Sequence, residues 1–67
     1  MDEIASLDFR DTEAGCSGFA SVRVARQVVA LTLSLETHGD LEASFTPQVA
    51  RALAAALERA AKQAEGT

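Results

Sequence analysis

Three residues of this chain, Cys16, His38 and Asp40, are of the types that carry out nucleophilic catalysis by cysteine. A thiol nucleophile needs a base within hydrogen-bond reach, and the base needs a group that orients it. Such a site also needs an oxyanion pocket and a substrate cleft, which a chain of 67 residues rarely supplies. The favoured interpretation is therefore a loop cysteine and a turn histidine without a catalytic role, and a cysteine-dependent enzyme using Cys16 and His38 is the weaker alternative.

The sequence contains few candidate residues for metal or phosphate binding. One cysteine and one histidine leave no Cys/His cluster for zinc, and the carboxylates are not spaced as calcium ligands. The four glycines, at positions 15, 18, 39 and 66, form no Gly-rich phosphate loop before a helix. We expect no metal and no cofactor, and we interpret the protein as non-enzymatic.

The charge distribution argues against nucleic acid as the main partner. The formal net charge is -4, and residues 1–13 account for all of it with five acidic residues against one arginine. A nucleic-acid surface needs clustered positive charge and is helped by stacking aromatics, but the six basic residues are scattered and Trp and Tyr are absent. A dimeric nucleic-acid regulator, with Arg23 and Arg26 paired with Arg51 or Arg59, is the alternative.

Residues 21–35, SVRVARQVVALTLSL, change the phase of their apolar alternation. Facing residues of an antiparallel pair have a constant index sum, and a loop of even length makes that sum odd. A two-residue loop gives a sum of 53, and a four-residue loop gives the same register. One long strand with a bulge is the rival explanation. The hairpin places on one face the pairs Val24 with Val29, Val22 with Leu31, and Ala20 with Leu33.

A second turn is indicated around Gly39. A three-residue loop, Thr37 to Gly39, keeps Leu35 and Leu41 on one face and pairs them directly. Upstream, Leu7 and Phe9 alternate with polar residues and indicate a possible first strand, with TEAGCSG as the loop before Phe19.

Residues 47–64 are predicted to form a helix. Thr46 can cap it, Pro47 suits its first position, Gly66 ends it, and strong helix formers fill the interior. Its apolar stripe is expected to cover the sheet face that carries the apolar residues of the strands. The stripe consists of Val49, Leu53, Ala56, Leu57, Ala60 and Ala64, and the covered residues are Val22, Val24, Val29, Leu31, Leu33, Leu35, Leu41 and Phe45.

The predicted fold is a small α+β domain. An antiparallel sheet of three to four strands, β(β)ββα, is covered on one face by the C-terminal helix. Residues 1–67 form a single domain with an acidic segment over 1–17, antiparallel strands over 19–45 and the helix over 47–64.

Small domains of this size usually need a disulfide, a metal or a second copy for stability. One cysteine and one histidine are too few for an internal disulfide or a structural metal site. A compact monomer of 7.0 kDa exposes about 4,000 Å². We therefore expect a homodimer or a higher homo-oligomer. Alanines on several sides of the helix allow close approach, and the second sheet face is made of small residues. The candidate contact residues are Ala52, Ala55 and Arg59 on the helix, and Arg23, Ala30 and Thr32 on the sheet.

The start of the chain, MDEIASLDF, has no basic or long apolar segment, and no run approaches the length of a membrane span. A cytoplasmic protein without a membrane partner is expected, and the five arginines to one lysine fit a bacterial composition. The predicted function is a homo-oligomeric interaction module that binds a protein partner as an accessory or regulatory subunit.

Overall fold

The structure is a computed structural model that describes residues 1–66. It contains one four-stranded antiparallel sheet, in the order β1-β2-β3-β4, followed by a helix. This is the predicted α+β fold, and the sheet has the upper number of the three to four strands expected. The elements are β1 (Asp2–Asp11), β2 (Cys16–Ala25), β3 (Val28–Leu35), β4 (Gly39–Phe45) and α1 (Pro47–Glu65).

The change of phase between β2 and β3 is a hairpin with a two-residue loop. Val22 pairs with Leu31 and Ala25 pairs with Val28, so the index sum is 53 as predicted. Arg26, the first loop residue, has a φ of 49°. A positive φ at the first loop position is a feature of the primed hairpin turns, whose twist matches that of the strands.

The predicted register between β3 and β4 is wrong by two residues. Leu35 pairs with Gly39 instead of Leu41, and Leu33 pairs with Leu41. The reason is that the turn begins one residue earlier: the amide of His38 donates to the carbonyl of Leu35, and Gly39 follows with a φ of 81°. The face assignment is unaffected, because a shift of two residues keeps every side chain on its side.

Strand β1 is longer than the Leu7–Phe9 signal indicated. It spans ten residues and carries a bulge between Glu3 and Ala5, a common feature of edge strands. The predicted loop TEAGCSG is too long, since β2 already begins at Cys16. Residues 12–15 make the connection, and the carboxylate of Asp11 accepts hydrogen bonds from two of their amides.

The helix begins and ends as predicted, within one residue. The hydroxyl of Thr46 accepts from the amide of Val49 at 3.3 Å, Pro47 occupies the first turn, and Gly66 is the C-cap. Residues 1–66 end one position beyond α1, so Thr67 of the predicted domain lies outside the described residues.

The helix covers much less of the sheet than expected. Its sheet-facing residues are Ala50, Leu53, Ala54 and Leu57, which border a cleft with Val22, Val29, Leu31 and Phe45. No residue of α1 is buried. Because α1 starts two residues after Phe45, its first turns lie at that end of the sheet. The other end, with Leu33 and Leu41, stays exposed.

Candidate interaction surface

The registers align the apolar residues of the sheet in rows across all four strands. One row consists of Leu7, Ala20, Leu33 and Leu41, and the row before it of Ala5, Val22, Leu31 and Ala43. These side chains share one face because each is the direct partner of the next. We call this the apolar face. The first row is called the bare row, because α1 does not reach it.

The apolar face has almost no interior. The buried residues among 1–66 are Cys16, Ser21 and Ala30, and no large side chain is fully buried. Within the bare row, Leu41 is 69% exposed, Leu7 61% and Leu33 40%. Between the helix and the sheet, an open cleft of about 200 Å³ is lined by apolar residues. The surface that a folded chain normally buries is therefore largely in contact with solvent.

A glycine on the apolar face lets two large side chains lie close to the backbone. A Cβ added at Gly18 would lie 2.6 Å from the carbonyl oxygen of Ser34 and 2.8 Å from Cδ2 of Leu35, with Cζ of Phe9 at 3.0 Å. Phe9 and Leu35 are the direct cross-strand neighbours of Gly18. They cover the strand where the glycine has no side chain, which extends the apolar face beyond the bare row.

The opposite face, which we call the polar face, contains a hydrogen-bonded network across three strands. Nη2 of Arg23 donates to Oγ1 of Thr32 at 3.0 Å and to Oε2 of Glu42 at 2.6 Å. The hydroxyl of Thr32 also donates to Glu42 at 3.2 Å. The hydrogen bond from Arg23 holds the pKa of the Glu42 carboxyl below its usual range, and the Arg23 charge and Thr32 act in the same direction.

The candidate contact residues of the polar face lie together. Arg23 is the direct partner of Ala30, and Thr32 lies in the next row. Ala30 has no exposed surface, so its methyl group cannot touch a second molecule in this conformation. The other two candidates on this face, Arg23 and Thr32, are partly exposed, and both are engaged with Glu42.

The helical candidates lie elsewhere. Ala52, Ala55 and Arg59 are all exposed. At 100° per residue they project away from the sheet-facing line through Leu53 and Leu57. Since α1 lies over the apolar face, these three residues and the polar face are on opposite sides of the molecule. One flat partner surface could not contact both groups.

The thiol and the imidazole do approach one another, through a third residue. Oγ1 of Thr37 lies 3.4 Å from Sγ of Cys16 and 2.8 Å from Nδ1 of His38. Thr37 is the partner that the index sum of 53 assigns to Cys16. Cys16 as a whole residue is only 4% exposed, which leaves little room for a substrate to reach its thiol.

The carboxylate expected beside His38 is a different residue. Asp40 accepts a hydrogen bond from the Ser34 hydroxyl, whereas the charge of His38 acts on Asp11. Hydrogen bonds from the amides of Ala14 and Glu13 lower the pKa of Asp11, and His38 adds a smaller effect in the same direction. Asp40 is close to His38 in the sequence, but its carboxylate is engaged with Ser34 on the neighbouring strand.

The described part of the chain offers neither a cluster of metal ligands nor a membrane-spanning helix. No group of three or more His, Cys, Asp or Glu residues there could hold a metal ion. No helix in residues 1–66 is long and apolar enough to cross a membrane. Comparison of the whole chain with protein-family models, curated proteins and solved structures gives no match.

Proposed function

We propose that this protein is a small non-enzymatic interaction module that works as a homo-oligomer, in the role of an accessory or regulatory subunit. The observation that carries the proposal is the amount of apolar surface that one copy leaves in solvent. A second copy is the nearest source of the missing contacts, because every molecule carries the same apolar face.

The solvent-exposed area shows how much buried contact one copy lacks. One copy exposes 5279 Å², whereas a compact monomer of its 7.0 kDa mass exposes about 4,000 Å². Its radius of gyration is 13.2 Å, against about 11 Å for a compact chain of this length. The molecule measures 37 × 28 × 15 Å along its principal axes. It is therefore a thin slab that consists of one sheet and a helix covering part of it. A domain normally has two full layers around its core.

The surface chemistry favours this function over the two alternatives. A cysteine-dependent enzyme must present its thiol to a substrate, but Cys16 is buried beneath Thr37. A nucleic-acid binder needs free positive charge, but the guanidinium of Arg23 is paired with Glu42. Assembly through the apolar face leaves the polar face and the outer side of α1 accessible to another protein.

Thermal unfolding at two protein concentrations tests the proposal. If folding is coupled to assembly, the melting temperature must depend on concentration by mass action. For a two-chain unit of this size, a hundredfold increase in concentration raises the midpoint by roughly 10 °C. A midpoint that does not change between 5 and 500 µM, two concentrations chosen to span about that ratio, contradicts the proposal.

A further inference from the structure

The uncovered part of the apolar face is continuous from one sheet edge to the other. The bare row reaches from Leu7 on β1 to Leu41 on β4, and no charged residue interrupts it. Strands lie about 4.8 Å apart, so the row is roughly 14 Å wide. Phe9 and Leu35 extend it along the strands. This is a flat apolar surface of a shape that another sheet can cover.

The size of the surface fits one protein interface. One copy exposes 5279 Å² against about 4,000 Å² for a compact monomer, an excess of roughly 1,300 Å². A stable interface of standard size buries about 800 Å² on each partner. Obligate dimers bury more and are more apolar. One contact with a second copy therefore accounts for the excess area, and no additional partner is needed to explain it.

The charges on the sheet edges favour stacking of faces over pairing of edges. Strand β1 carries Asp2, Glu3 and Asp8, and the other edge strand, β4, carries Asp40 and Glu42. Acidic edge strands oppose the addition of a second acidic edge. The bare row itself is uncharged, so it can meet an identical row without placing like charges together.

From these observations we infer that two copies stack sheet against sheet through the bare row, about a two-fold axis. This inference rests on the proposed function and specifies its contact surface. The sheets would lie about 10 Å apart, as in a β-sandwich. The sheet residues that border the cleft beside α1 are Val22, Val29, Leu31 and Phe45, none of which belongs to the bare row.

Charge placed in the bare row tests the inference. Leu41→Glu introduces a carboxylate at a side chain that is already 69% exposed, so it removes little packing within one copy. In the stacked pair the same carboxylate would be buried without a partner. We expect the dissociation constant, measured by sedimentation velocity, to rise at least 100-fold. Leu7→Glu, at the opposite end of the row, is expected to have the same effect and repeats the test if Leu41→Glu fails to fold.

A matched control lies on the other face. Val28 is 38% exposed and belongs to β3, like Leu33, but its side chain is on the polar face. Val28→Glu adds the same charge and is expected to leave the dissociation constant within threefold of wild type. A wild-type dimer that persists in both Leu41→Glu and Leu7→Glu overturns the inference while leaving the proposed function intact. A monomeric wild type contradicts both.

Discussion

Arg23 and Glu42 are joined across an intervening strand. Arg23 lies on β2 and Glu42 on β4, and the 2.6 Å contact between Nη2 and Oε2 passes over β3 beside Thr32. The contact ties three of the four strands together on the polar face. It is the clearest specific interaction in a sheet whose other face has few tertiary contacts.

This ion pair should make stability depend on pH. The pKa of Glu42 is lower in the folded state than its ordinary value of 4.5. Its contribution is therefore present above that pH and is lost as the pH falls through the depressed value. We expect wild type to have a higher melting temperature than Glu42→Gln at pH 6, and the difference between the two melting temperatures to be smaller at pH 3. Asp11 titrates in both proteins and so does not enter the difference. A difference that is equal at both pH values contradicts the assignment.

The sequence predicted the faces of the sheet but could not fix every register. The sum of 53 followed from the phase change between Val24 and Val29, and the structure confirms it. For the next hairpin, Leu33, Leu35 and Leu41 are all odd, so any loop of odd length satisfies the pattern. The predicted register placed Glu42 opposite Ser34. The observed one places it opposite Thr32, within reach of Arg23. The two-residue error in the predicted β3–β4 register is therefore the reason why the Arg23–Glu42 ion pair was not predicted.

The sequence also could not predict how much of the sheet the helix covers. Helical periodicity identifies which side of α1 is apolar, but it does not say how much of the sheet that side reaches. Leu53 and Leu57 do face the sheet as predicted. The direct connection from Phe45 through Thr46 limits contact to one end, and short alanines add little depth.

Gly18 should not tolerate a side chain. The added methyl would approach the backbone oxygen of Ser34 at 2.6 Å, and backbone cannot move away as a flexible side chain can. We expect Gly18→Ala to lower the free energy of unfolding by about 1–3 kcal/mol, measured by urea unfolding at fixed protein concentration. Gly66→Ala is the control, since its methyl meets nothing closer than 3.6 Å. Equal stability of the two variants would contradict the close approach.

The loop residue Arg26 offers a stabilising substitution. Its φ of 49° is unfavourable for a residue with a Cβ and costs about 1–2 kcal/mol. Arg26→Gly removes this strain, partly offset by the greater freedom of glycine in the unfolded chain. We expect a net gain of about 0.5–1 kcal/mol in urea unfolding. Arg26→Ala retains the strain and should give no gain. An equal gain in both variants would show that the backbone conformation is not its source.

The burial of Cys16 can be tested by alkylation. Because Cys16 is 4% exposed and its Sγ accepts a hydrogen bond from Thr37, iodoacetamide should modify it at least 100-fold more slowly in the native protein than in urea. The reaction is followed by the mass of the intact chain. Native modification faster than that of a model thiol at neutral pH would instead support the cysteine-dependent alternative.

If one copy is an incomplete folding unit, the chain must assemble in solution in order to fold. The most direct measurement is the molar mass of the unmodified chain in solution, by light scattering coupled to size-exclusion chromatography at micromolar concentration. For the proposed homo-oligomer we expect a molar mass of at least twice the 7.0 kDa of one chain. A stable, cooperatively folded species of 7.0 kDa would contradict it.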